Sequence, residues 1–339
     1  MKVLVLGGSG YVGSRLCALL RDSGWATPVS GSSRSAVAGV ESVRVDTRDA
    51  AAMRQALQGI DAVVNCVAGN ASAIGEGARV LTEAALAAGC RRLVHLSSMS
   101  VYGPVEGRVD ESVATDGSLG WYGRAKCEAE AHVAAFGAQG GCAVVLRPGC
   151  VAGPGSDLWV DRIARLLQSR RLGDLGVAGD GWSNLVHVDD VCQAVLAALH
   201  GPSVQPGVRA YNLAAPDSPR WNEYFVDLAL AIGATPVRRL SSLQLRLDTM
   251  LAGPPLKVAQ MLAKRLLGDA SGVPVPLPPN LLGLWERHLQ LDSSRAGREL
   301  GLQWTPYAVT LQQSAAWFLK QGRGSRPDVT VLRGSDSTT

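Results

Sequence analysis

Lysine is scarce. Only five of the 339 residues are Lys, so the 33 basic residues are mostly arginine. They are scattered. The pairs Arg91-Arg92, Arg170-Arg171 and Arg238-Arg239 occur, but no basic run with interleaved aromatics marks a nucleic-acid path. Aromatic residues are only 5% of the chain, so Ala, Val and Leu must fill its core. The seven cysteines are an odd number without Cys-x-x-Cys spacing. That argues against a disulfide framework or zinc site, and no metal site is expected. No apolar run is long enough to span a bilayer. The chain enters a strand at Lys2 without a signal peptide pattern. A cytoplasmic protein in a reducing compartment is the expectation.

The apolar share is 47%, the charged share 18% and the net charge only +4. This suffices for a sizeable core, as one large α/β unit or two smaller domains. Val3 to Leu6 is a continuous apolar run, expected of a buried parallel strand. It leads into Gly7-Gly8-Ser9-Gly10-Tyr11-Val12-Gly13 and then a helix turning Val12, Leu16, Leu19 and Leu20 inward. Gly7, Gly10 and Gly13 suit a turn in which backbone N–H groups and a helix N-terminus approach a pyrophosphate, where a Cβ would intrude. The spacing is Gly-x-x-Gly-x-x-Gly, and Tyr11 and Val12 lie inside the cofactor loop.

A second strand, about Thr27 to Ser30, ends in Gly31-Ser32-Ser33-Arg34. No acid stands there to hold both ribose hydroxyls of NAD(H). Ser33 and Arg34 suit the 2′-phosphate of NADP(H), which is favoured, with NAD(H) as the other option. Asp46, ending a third strand from Val43, either accepts from the adenine amino group or caps the helix near Ala50. The fourth strand, from Asp61, ends in small residues, where Val67 and Ala68 let the cofactor pass close. A helix from about Ile74 to Ala88 and a fifth strand, Arg92 to Leu96, follow. That strand runs into Ser97-Ser98-Met99-Ser100-Val101-Tyr102-Gly103. Hydroxyls at such strand ends point into the ligand crevice of parallel sheets.

Tyr122 and Lys126 are one turn apart on the next helix, which continues to about Gly137. A cation beside a phenol favours the phenolate and lowers its pKa, making a tunable proton donor. Ala143 to Arg147 is the sixth strand, ending in Pro148-Gly149-Cys150-Val151-Ala152-Gly153-Pro154. Strands alternating with helices predict a parallel sheet with helices on both faces, a doubly wound α/β fold.

Beyond Gly155 the pattern changes. A helix from about Trp159 to Arg171 carries Arg162, Arg165 and Arg171. His187-Val188-Asp189-Asp190 opens a core-facing helix, and Ala210 to Leu213 returns as a strand. Residues 240–267 are Leu/Met-rich, interrupted at Gly253-Pro254-Pro255. They suit a membrane or partner contact less well than helices closing a pocket or packing in a dimer. The expected division is a Rossmann domain over 1–152 with returning segments about 184–217. A substrate-binding domain takes 153–183 and 218–321, and 322–339 reads as a disordered tail.

Together these motifs resemble the extended short-chain dehydrogenases/reductases, the NAD-dependent epimerase/dehydratase family. The carriers are Gly7-x-x-Gly10-x-x-Gly13, Ser98 before Tyr102-Gly103, Tyr122-x-x-x-Lys126, Arg147-Pro148-x-x-Val151-x-Gly153-Pro154 and His187-Val188-Asp189-Asp190. The resemblance spans residues 1 to about 320. It implies that Tyr122 is the acid/base, that Lys126 tunes it and bonds the nicotinamide ribose, and that Ser98 holds the substrate oxygen. Pro148 and Val151 join the cofactor set. A homodimer through helices at about 75–88 and 122–137 is a further implication.

Within the family, Met99-Ser100 stands where sugar dehydratases resemble one another in an Asp-Glu pair. Cys150 stands where nucleotide-sugar enzymes carry Asn. The short segment 68–74 resembles the reductase and 3β-hydroxysteroid dehydrogenase-like branch. The expected activity is NADP(H)-dependent reduction of a small carbonyl substrate, or oxidation of the alcohol. Met99, Ser100, Trp121, Cys150 and Trp159 are expected to wall an apolar pocket. The alternatives are an NDP-sugar 4-epimerase with bound NAD, using Arg162, Arg165 and Arg171 on the diphosphate, and a non-catalytic NADP-binding sensor or assembly subunit.

Overall fold

The structure is a computed structural model and describes residues 1–33, 35–201, 205–267, 273–277 and 279–324. Arg34 lies outside the described residues, as does the expected tail from residue 325 onward. Residues 322–324 complete the last helix rather than starting the tail.

The strands are β1 Lys2–Leu6, β2 Thr27–Ser32, β3 Glu41–Arg44, β4 Ala62–Asn65, β5 Arg92–Leu96, β6 Gly107–Val109 and β7 Cys142–Pro148. After them come β8 Cys150–Ala152, β9 Leu185–His187, β10 Gly207–Leu213 and β11 Leu289–Leu291. The helices are α1 Tyr11–Asp22, α2 Ala50–Ala56, α3 Ala71–Ala87, α4 Trp121–Ala138, α5 Arg162–Gln168 and α6 Val188–His200. The later helices are α7 Trp221–Ala231, α8 Ser242–Leu247, α9 Gly253–Leu267, α10 Pro279–Trp285, α11 Ser294–Glu299 and α12 Tyr307–Gly324.

Seven strands form one sheet in the order β10-β7-β5-β4-β1-β2-β3, every pair parallel. The expected α/β, Rossmann-like sheet is thus present. The period of two explains how β1 serves both faces. Val3 and Val5 pack with Leu16 and Leu20 of α1 and Val191 and Val195 of α6. Leu4 and Leu6 pack with Met53 of α2, Leu81 of α3 and Phe136 of α4. Burying each such side chain stabilises the fold by about 1.5–3 kcal/mol.

The few aromatics are concentrated elsewhere. Trp221, Tyr224 and Phe225 of α7 meet Trp285 of α10 in a second core, with Trp221 and Phe225 centroids 5.6 Å apart. β8 and β9 form a separate parallel pair, Cys150 opposite Leu185. The expected helix from Trp159 to Arg171 is shorter. A wide turn over Asp157–Asp161 precedes α5, and Arg170, with φ of 56°, ends it. Gly253-Pro254-Pro255 does not break the Leu/Met-rich stretch. The Gly253 N–H reaches back to the Asp248 carbonyl in a widened turn, and α9 starts there, with both prolines in its first turn, where a missing N–H costs least.

Candidate active site

The glycine loop connects β1 to α1. Gly7 has φ of +74°, its N–H donates to the Gly31 carbonyl at 2.9 Å, and its carbonyl accepts from the Gly10 N–H at 2.9 Å. A Cβ at Gly13 would stand 2.2 Å from the Gly7 oxygen, so α1 can approach the loop only with glycine there. No side chain caps α1, which leaves first-turn N–H groups for an anion. This cradle fits a dinucleotide pyrophosphate. Val12 packs against the core, and the Tyr11 hydroxyl donates to the Ala152 carbonyl at 3.1 Å.

Ser33 is exposed, and Ser9 and Ser32 hydroxyls are 2.7 Å apart beside it. Asp46 does not cap α2. Asp49 does, accepting from Ala51 and Ala52 N–H groups. Asp46 is exposed and gripped by Arg48 at 2.7 and 3.0 Å, and these bonds hold its carboxyl down at about 2.

The loop sits directly against the end of β4. A Cβ on Gly7 would be 3.0 Å from the Cys66 carbonyl carbon and 3.2 Å from the Val67 nitrogen. The Val67 carbonyl in turn accepts from the Lys126 ammonium at 3.1 Å, and the Leu96 carbonyl does so at 2.7 Å. Lys126 is thus tied to the ends of β4 and β5, with one donor left over. Burial lowers its pKa to about 8, against the raising charges of Cys66 and Glu130. Ala68 beyond Val67 is exposed.

Tyr122 is one turn earlier on α4, with Lys126 Nζ 5.8 Å from its ring centroid. Its hydroxyl is under the influence of Ser98, which sits just past β5 in extended conformation and draws the Tyr122 pKa down. Ser98 also accepts from the Ser100 N–H at 3.2 Å. The sequence suggested that Lys126 depresses the Tyr122 pKa. Burial instead dominates and raises it, with Ser98 pulling the other way. Ser98, Tyr122, Lys126 and Val67 are therefore brought together beside the glycine loop.

Of the expected wall residues, Met99, Cys150 and Trp159 belong to the second core. Met99 and Cys150 are buried in the second core, and burial raises the Cys150 thiol far above its usual range. Trp159 lies 5.5 Å from Trp221 by centroids, and its carbonyl accepts from the Tyr224 hydroxyl. Trp121 is 59% exposed, edge-on to Tyr122 at 5.6 Å. Ser100 Oγ is buried and has no hydrogen-bond partner among the described residues. Pro148 ends β7 in the core, and Val151 is half-buried in β8.

Of the three arginines, Arg165 pairs with Asp161 at 2.7 Å and Arg171 with Asp248. Arg162 makes no ion pair among the described residues, and burial lowers its pKa despite Asp157 and Asp161 nearby. His187, Asp189 and Asp190 brace the fold. His187 caps α6, Asp189 takes Arg15 of α1 at 2.5 and 2.9 Å, and Asp190 takes the Thr305 N–H and hydroxyl.

One network escaped the sequence reading. Glu130, four residues after Lys126 on the same face of α4, binds Arg147 in a fork and accepts from Ser97. Arg147 also donates to the Tyr102 hydroxyl at 2.9 Å, which donates to Asn212 at 2.6 Å. The i+4 spacing from Lys126 was the available signal for Glu130.

An open groove of ≈ 780 Å³ lies among Asp174, Trp182, Asn222, Glu223, Asp227 and Tyr307 and includes none of the motif residues. Among the described residues no group of His, Cys, Asp and Glu is arranged to hold a metal, and all seven cysteines are free thiols. No helix among them is long and apolar enough to cross a membrane.

Known proteins resemble this chain in sequence and in fold. A 2-alkyl-3-oxoalkanoate reductase of Stenotrophomonas maltophilia (strain K279a) is 32% identical over 265 residues, 71% of this chain and 79% of that protein. Protein YeeZ of Escherichia coli (strain K12) is 28% identical over 260 residues, 72% of this chain and 88% of the other. MoeE5 in complex with UDP-glucuronic acid and NAD superposes with a TM-score of 0.72 at 23% identity, covering 95% of this chain and all of that one. UDP-glucose 4-epimerase from Bifidobacterium longum, in complex with NAD+ and UDP, gives 0.73 at 19%, covering 96% and 100%. These two structures share the fold. The model of the NAD dependent epimerase/dehydratase family matches residues 3–214, so with its glycine cradle and its Ser98, Tyr122 and Lys126 cluster, the chain belongs to that family.

Proposed function

We propose that the protein is an NADP(H)-dependent oxidoreductase that reduces a carbonyl of a small, partly apolar organic substrate, or oxidises the corresponding alcohol. The observation that carries this reading is Tyr122 set between Ser98 and the buried Lys126 one turn on, whose ammonium the Val67 and Leu96 carbonyls fix. When bound, the reduced nicotinamide supplies a hydride to the carbonyl carbon. Tyr122 gives its phenolic proton to the substrate oxygen as the alkoxide forms. The Ser98 hydroxyl polarises that oxygen and holds it beside Tyr122. Lys126, fixed by two backbone carbonyls, presents its remaining donor to the nicotinamide ribose and stabilises the Tyr122 phenolate left behind.

Gly7, Gly10, Tyr11, Val12 and Gly13 cradle the pyrophosphate, and Val67, Ala68, Pro148 and Val151 border the ribose and nicotinamide. Ser33 and Arg34 take the 2′-phosphate, a reading supported by the absence of an acid from β2 and the residues just after it. Substrate enters between the Rossmann part and residues 153–183 and 218–321. The 32% identical relative is named for a 3-oxoalkanoate with an alkyl branch, which supports a ketone carrying apolar groups.

The 4-epimerase reading is weaker. Cys150 stands where nucleotide-sugar enzymes resemble one another in an Asn, and Arg165 and Arg171 already have carboxylate partners. The test is titration with NADPH and NADH, followed by a panel of 3-oxo acids and aryl ketones monitored by nicotinamide absorbance. Tighter NADPH and turnover of one class are expected. NAD released on denaturing the purified protein, with no net nicotinamide oxidation, would favour the epimerase instead.

A further inference from the structure

Among the described residues, eight of the sixteen exposed large apolar side chains lie between residues 243 and 266, so they form a patch rather than scattered single exposures. They belong to α8, the widened turn after it, and α9. The inner side of this stretch is anchored. Leu245 is buried in the second core, Asp248 binds Arg171, and Thr249 is buried. The outer side presents Leu247, Met250, Leu251, Met261, Leu262 and Leu266, from 46% to 76% exposed. Spacings of three and four between Leu247 and Leu251, and of four and five between Met261 and Leu266, put these on one side of their helices.

The charge around the stripe is one-sided. From α8 through α9, residues 242–267, there are four cations, Arg246, Lys257, Lys264 and Arg265, against one carboxylate. The single carboxylate, Asp248, is already engaged by Arg171. Lys257 and Lys264, seven residues apart, share one side of α9, and among the described residues neither forms an ion pair. We propose that the α8–α9 stretch is an interfacial docking helix that seats its apolar stripe in an anionic lipid surface, with its cations at the headgroups.

The physics favours this occupant over a second copy. Two copies facing each other would oppose one cationic surface with another, at short range and in partly dehydrated surroundings. A bilayer with anionic headgroups offers both the apolar layer and the countercharge that the stripe lacks. Docking through one amphipathic helix leaves the protein peripheral, in keeping with the lack of a membrane-spanning helix among the described residues.

The test is cosedimentation of the full chain with phosphatidylcholine vesicles, with and without phosphatidylglycerol. Binding to the anionic vesicles alone is expected, weakening as salt is raised. Met261→Glu with Leu262→Glu, and separately Lys257→Glu with Lys264→Glu, should each lower vesicle partition by about tenfold or more. Both pairs lie at exposed positions, and an unchanged thermal midpoint confirms that the variants fold. Wild-type protein that stays in the supernatant with anionic vesicles overturns the proposal. So does a Met261→Glu/Leu262→Glu variant that sediments as well as wild type. Sedimentation velocity provides the third check: a wild-type dimer abolished by that pair, without vesicle binding, assigns the stripe to a second copy instead.

Discussion

The Glu130 carboxylate holds the Arg147 guanidinium in a two-pronged grip, 2.7 Å at one nitrogen and 3.0 Å at another, with both side chains about nine-tenths buried. Glu130 is on the face of α4 that carries Tyr122 and Lys126, and Arg147 is at the end of β7. The pair therefore fixes the candidate catalytic helix against the sheet. Burial opposes the charge of Arg147, but the Glu130 bonds and charge outweigh it and keep the guanidinium protonated. Removing one partner strands a buried charge. Arg147→Met should cost about 3–5 kcal/mol of stability in urea denaturation. The double change with Glu130→Gln should cost less than the sum of the two singles, because no charge is left stranded. An Arg147→Met protein as stable as wild type would remove this account of how α4 is held.

How much of this was legible in the sequence depends on the range of the interaction. The glycine loop, the strand ends at Val67 and Ser98, and the Tyr122/Lys126 turn are local patterns, and each sits where its spacing implied. Glu130 was within reach of the same helical argument. Asn212, which closes the network through Tyr102, was not, because 110 residues separate them and only the return of β10 beside β7 joins them. The Arg171–Asp248 pair, 77 residues apart, was hidden for the same reason, so Arg171 looked available for a ligand. Lys126 was misjudged in a different way. Spacing shows that an ammonium is beside a phenol but not that the ammonium is buried and the phenol half-buried, and removal from water decides both pKa directions here.

The depressed Lys126 has a consequence for stability. Its folded pKa of about 8 lies below the unfolded value of 10.5, so the folded state binds its proton less tightly. The penalty is fully present below pH 8 and is relieved as pH rises from about 8 to 10.5. Stability rises wherever the unfolded state holds more protons. Wild type should gain about 2 kcal/mol from this group between pH 8 and 10. Lys126→Met should lack that rise. Parallel urea curves for wild type and Lys126→Met across this range, if measured, would contradict the depressed pKa.

Tyr122→Phe separates proton transfer from binding. The phenyl ring keeps its packing but loses the phenolic proton. Turnover of whichever carbonyl the panel identifies should fall by about 10²–10⁴, the usual contribution of a positioned acid. Nucleotide affinity, read by protein fluorescence quenching, should change little. Residual turnover near wild type would show that another group donates the proton.

Gly13→Ala tests the cradle with a single carbon atom. The added Cβ would sit 2.2 Å from the Gly7 oxygen and 2.9 Å from Gly8 Cα, both backbone atoms, so no side chain can swing aside. Either α1 retreats from the loop or the loop opens. In both cases the first-turn N–H groups move off the position where a pyrophosphate would meet them. Nucleotide affinity should drop by more than tenfold, with a loss of stability on the order of 1–3 kcal/mol, as overpacking gives elsewhere. Gly24→Ala is the control. Gly24 has φ of +74°, but nothing lies within 4 Å of its added Cβ, so only backbone strain at the end of α1 is at stake. Its variant should lose stability without losing nucleotide affinity. If both variants bind nucleotide as wild type does, the close approach of α1 to Gly7 is not what shapes the site.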